Sequence, residues 1–144
     1  MRSLGWRLIV SSMTEDMTPS RAPSDTNRAS YPNDELTRIC GEVAAVFRHA
    51  WGRGPARTTA HWAGPDMLVV LLANGHTDAE KTLRAAGHIQ ELLGGRHLLQ
   101  TIIEDDLKAG VERILGRTVK TTLSATRLDP DLSAEIFLLT PAGA

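Results

Sequence analysis

Residues 52–80 read GRGPARTTAHWAGPDMLVVLLANGHTDAE, and this stretch decides the fold. Its centre, Met67 to Leu72, is apolar at every position, short, and contains the β-branched pair Val69 and Val70, so it reads as a central strand. Upstream, Arg57 to Ala63 alternates, with Thr58, Ala60 and Trp62 on one side and Arg57, Thr59 and His61 on the other, which is the period of a strand. Gly64-Pro65-Asp66 joins the two as a hairpin. Further upstream, Gly52-Arg53-Gly54-Pro55 stops a helix, because glycine accepts the left-handed conformation and proline bars helical continuation. Downstream, Asn74-Gly75 ends the central strand, and Thr77 with Glu80 fits a capping box at the start of another helix.

Working outward, Leu36, Ile39, Cys40, Val43, Val46, Phe47 and Ala50 recur at spacings of three and four, which predicts a helix opened by Asn33 as its N-cap. A short helix through Ala86 is predicted after the capping box, hinged at Gly87 to a longer one. In that longer helix Ile89, Leu92, Leu93, Leu99, Ile103, Leu107, Val111, Ile114 and Leu115 carry the apolar rhythm, and Gly94-Gly95 predicts a kink or soft spot. Gly116 closes it. Thr118 to Thr126 then alternates with Val119, Thr121, Leu123 and Ala125 facing one way, Leu128-Asp129-Pro130-Asp131 is turn chemistry, and Ala134 to Leu139 is a final strand. The order α-β-β-α-α-β-β predicts an α+β two-layer sandwich: one four-stranded, mainly antiparallel sheet with helices on one face. The expected boundaries are a disordered tail over residues 1–32, rich in Ser, Thr, Asp, Asn, Arg and Pro, and a single domain over 33–141.

The bulk numbers exclude several classes of function. Sixteen basic against seventeen acidic residues leave a formal charge of -1, so no global field draws nucleic acid or an anionic membrane. No run approaches the roughly 18 to 20 apolar residues of a membrane helix, and the segment Leu4 to Val10 is broken by Arg7. A lone cysteine, Cys40, makes no internal disulfide and, beside Ile39 and Val43, reads as a buried thiol in a reducing compartment. A cytoplasmic location is therefore expected.

Several blocks together carry a resemblance: GRGP at 52–55 with Arg57, the strand DMLVVLL, AEKTL at 79–83, VERILGRTV at 111–119, and the closing pattern of Leu123-Ser124, Leu128-Asp129-Pro130-Asp131, Glu135, Phe137 and Leu139. Over about residues 35–140 the chain resembles the MpsC-like family, named for a bacterial membrane-potential-generating system. The resemblance implies a small cytosolic protein, of a kind sometimes encoded near membrane complexes linked to cation or inorganic-carbon transport, with no established reaction. Arg96 and Gln100 match the family pattern, whereas Gly94-Gly95, His97 and Ala125 depart from it, Ala125 standing where an aspartate is common.

No triad, phosphate loop or metal motif is recognisable, so no catalytic residue, metal ligand or cofactor is assigned, and a non-enzymatic role is expected. The five histidines, His49, His61, His76, His88 and His97, include no i, i+4 pair and read as surface residues. Glu104, Asp105, Asp106 and Glu112 read as a solvated helix face. The candidate site is the first turn: Gly52, Arg53, Gly54 and Arg57 combine convergent backbone amides with charge-assisted donors, and Trp51 and Trp62 flank them. That group reads as a protein interface, since tryptophan beside arginine is typical of binding hot spots. The alternatives are a small-anion module of bicarbonate or phosphate type and an enzyme with an unfamiliar site. The expected partners are a second copy of the chain and a membrane-complex protein, without nucleic acid or a membrane span of its own.

Overall fold

The computed structural model describes residues 31–143, so the tail expected over residues 1–32 lies, but for its last two positions, outside the described residues. The elements are α1 (Tyr31–Trp51), β1 (Arg57–Trp62), β2 (Met67–Ala73), α2 (Asp78–Ala85), α3 (Ile89–Leu115), β3 (Val119–Arg127) and β4 (Leu132–Leu139). Every neighbouring pair in the sheet is antiparallel and the spatial order is β1-β2-β4-β3, which puts the all-apolar β2 in the interior as expected. Helix α1 begins two residues before Asn33, so Asn33 lies in its first turn and is not the cap; Pro32 is compatible there because first-turn amides have no helical acceptor.

The helices cover one face only. Ile39, Val43 and Phe47 of α1 and Ile103, Leu107 and Val111 of α3 pack on Leu68, Val70, Leu72, Phe137 and Leu139 of the two inner strands. Close approach of the helices is set by Gly110, where a Cβ would come within 2.6 Å of Glu42 Cγ. Helix α3 is continuous through Gly94-Gly95, and Gly116 closes it at φ 63° with its amide on the Glu112 carbonyl.

Strand β3 departs from strict alternation. A bulge between Val119 and Thr121 turns Val119 into the core while Thr121, Leu123 and Ala125 face the other way, because one inserted residue inverts the period-two pattern. The capping box is also altered. Thr77 Oγ1 accepts from the Glu80 amide at 3.2 Å, but the Glu80 carboxylate turns inward, accepting from the Thr77 hydroxyl on Oε1 and from Arg96 Nε on Oε2.

Candidate functional site

One end of the space between α3 and the sheet is polar. The inward stripe of α3 runs Leu92, Arg96, Gln100, Ile103, Leu107 and Val111, so two of its positions carry polar side chains that are 4% and 5% exposed. On β4 the inward positions run Ser133, Glu135, Phe137 and Leu139, again polar at one end and apolar at the other. The two polar halves meet.

Arg96 is satisfied on several sides. Its Nε donates to Glu80 Oε2 at 2.5 Å, its Nη2 to the Gly75 carbonyl at 3.1 Å, and its Nη1 reaches Ser133 Oγ at 3.5 Å. Its guanidinium also lies 5.5 Å from the ring centroid of Trp51, which stacks on Phe47. Gln100 Nε2 donates to Glu135 Oε1 at 2.9 Å, and Ser124 Oγ donates to Glu135 Oε2. Thr126 links the two groups, donating to Gln100 Oε1 at 3.4 Å and lying 3.2 Å from Ser133 Oγ.

Glu135 is fully buried. Burial pushes its carboxyl up to about 7, against the lowering pull of the hydrogen bonds from Ser124 and Gln100, so near neutrality the neutral acid and the carboxylate are both populated. Both of its oxygens are engaged and no surface of it is open, so a substrate has no direct approach to this carboxyl.

His76 corrects the expectation of a surface histidine: it is 4% exposed. Its backbone amide donates to Asp131 Oδ2 at 2.8 Å, and its Nδ1 lies 3.2 Å from the same oxygen. Burial lowers its pKa, and Asp131 pulls the other way. Its Nε2 is buried without a hydrogen-bond partner.

The predicted turn residues divide. Trp51 ends α1 and joins the network through Arg96, while Arg53 Nη1 donates to the His76 carbonyl at 3.0 Å, so both are tied to the polar half of the molecule. The Gly52 amide is spent on the Arg48 carbonyl at 2.9 Å, and Gly54 lies against the Arg48 side chain. Arg53 and Arg96 share a void with Ser133 and Asp131 that has room for about one water molecule. Arg57 opens β1 and Trp62 closes it, so Trp62 is carried to the end of the strand away from the turn. Sequence reasoning missed Arg96, Gln100, Glu135 and His76 as members of one cluster. The signal was the spacing 92, 96, 100, 103, 107, which keeps the helical stripe only if polar residues are admitted to it.

The second face of the sheet is the other notable feature. Met67, Val69 and Leu71 of β2 and Leu132, Ala134, Ile136 and Leu138 of β4 alternate with the buried positions and are only half-buried, and no described element packs over them. Register aligns them in rows across the strands: His61, Val69, Ile136 and Leu123; then Thr59, Leu71, Ala134 and Ala125; then Arg57, Ala73, Leu132 and Arg127. Leu123 is 57% exposed. Ala125 also lies on this face.

Among the described residues no group of three or more His, Cys, Asp or Glu is placed to hold a metal, and no helix is long and apolar enough to cross a membrane. The family model described as Na+-translocating membrane potential-generating system (MpsC) matches residues 35–140. No curated protein and no solved structure matches the chain.

Proposed function

This chain belongs to the MpsC family, and from that premise we propose that it is a non-enzymatic cytoplasmic accessory or regulatory component of a membrane ion-translocating system, acting through protein contacts. The observation that carries the proposal is the uncovered sheet face. An apolar surface spanning two central strands, with Leu123 standing out from the neighbouring edge strand, is of the kind that marks interaction sites. The polar cluster supports it from the other side: the deeply buried Glu135 and the Arg96–Glu80 pair are bonded to protein groups and serve to hold α2, α3 and β4 in register.

Trp51, Gly52, Arg53, Gly54 and Arg57 supply a second contact region on this reading, with Arg53 and Trp51 braced by the cluster beneath them, and Trp62 adds a separate contact at the far end of β1. The test is fractionation of native cells after mild cross-linking. The protein co-sediments with membranes, and Trp62→Ala combined with Arg57→Ala releases it; a protein that never co-sediments, or a purified chain that turns over a substrate, overturns the proposal.

A further inference from the structure

We propose that the open sheet face is occupied by a second copy of this chain, packed face to face with its strands reversed, so that two four-stranded sheets form one sandwich. The inference deepens the contact reading above by naming the occupant of that face, and it rests on that reading only for the idea that the face is a contact surface.

Size is the first argument. Four strands at about 4.8 Å spacing and seven or eight residues at about 3.3 Å rise give a flat footprint of roughly 500 Å². Side chains standing off a pleated surface expose more than this footprint, which brings one face near the roughly 800 Å² per partner of a stable interface. Composition is the second. The rows of register contain no carboxylate, and their centre is aliphatic, as in homodimer interfaces that resemble a core cut in two.

Charge and shape choose the arrangement. Arg57 and Arg127 close the two sides of a single row at one end of the sheet. A two-fold axis along the strands would lay β1 over the partner's β3, setting Arg57 against the partner's Arg127 twice. An axis across the strands reverses the ends, and each arginine row then lies over the end of the partner sheet that carries Met67 and Leu138. The same operation sets Ile136 over the partner's Ala134 and Leu123 over the partner's Ala125, large side chains against small ones. Close-packed sheets require this kind of interdigitation.

The experiment is sedimentation and light scattering of the purified chain from about 1 to 100 μM, without membranes or other proteins. The expected mass is twice 15.6 kDa. Leu123→Arg, at an exposed position that leaves the fold intact, shifts the dimer midpoint at least tenfold upward, with unchanged circular dichroism. Ala125→Trp, which fills the hollow beneath the partner's Leu123, weakens it similarly, while Arg127→Glu changes it less than threefold. A chain that is monomeric at 100 μM, or a dimer indifferent to both Leu123→Arg and Ala125→Trp, overturns the inference. A strong gain in affinity from Arg127→Glu overturns the reversed arrangement. Because the assay contains only this protein, its outcome is separate from membrane co-sedimentation, and either result can fail without the other.

Discussion

Gln100 Nε2 lies 2.9 Å from Glu135 Oε1, joining the middle of the longest helix to an inner strand through two side chains that are almost completely buried. An apolar pair would hold the same layers together by area alone. A hydrogen-bonded pair adds a geometric requirement, since a slip of one residue in β4 would turn Glu135 out of reach and leave the Gln100 amide unsatisfied.

The raised pKa of Glu135 makes this pair pH-dependent. Its ordinary value is 4.5 and its folded value about 7, so between these the folded state holds a proton that the unfolded chain has released. Stability must therefore fall as pH climbs through that window and level off above it, by about 3 kcal/mol in all. Glu135→Gln keeps a neutral donor and acceptor pair, so it removes this slope. Urea denaturation of variant and wild type should agree within about 1 kcal/mol at pH 5 and favour the variant at pH 8; parallel curves would refute the assignment. The difference between the two proteins is the quantity to follow, because the lowered His76 imposes a slope of opposite sign, losing stability as pH falls below 6.5.

Removing Arg96 strands Glu80. The pair is 2.5 Å apart with both side chains buried, so Arg96→Met should destabilise the fold by about 3–5 kcal/mol. Glu80→Gln on top of Arg96→Met should recover a substantial part, since the residual penalty is then an amide and not a charge. Additive losses in chemical denaturation would show that the two residues are energetically independent.

Gly94 and Gly95 test the opposite effect. A Cβ at either position meets nothing within 4 Å, and both lie inside the continuous helix α3. Each alanine substitution should stabilise by up to about 1 kcal/mol and raise the melting temperature. Gly110→Ala serves as contrast, because there the new methyl group collides with Glu42 and disturbs its ion pair with Arg113.

Ala125→Asp places a carboxylate in the row containing Leu71 and Ala134. Its own position is exposed, so folding should be within about 0.5 kcal/mol of wild type by thermal melting. Self-association measured by sedimentation should weaken at least tenfold. Retained dimer with full affinity would place the contact elsewhere.

The elements were legible because their signals are local. Glycine and proline at 52–55 and 64–65, the alternation of 57–62 and the capping pair Thr77 and Glu80 act within a few residues, and the structure places each boundary within two or three positions of the expectation. The same locality explains the errors. Alternation alone groups Val119 with Thr121 because a bulge is invisible to it, and a loop position for His76 does not disclose that Asp131 folds over it from 55 residues away. The burial of Arg96 and Gln100 depends on which turn of α3 faces Ser133 and Glu135, which local spacing does not reveal.

What the amino-acid sequence determined alone was therefore the order of elements, the antiparallel two-layer plan and the interior place of β2, all consequences of periodicity and turn chemistry that operate along the chain. What only the tertiary structure decided was the company that side chains keep across it: the polar end of the core, the raised pKa of Glu135, and the apolar face left uncovered because the described helices pack on the opposite side. Burial and charge are properties of neighbourhoods in space, and neighbourhoods form when residues far apart in sequence meet.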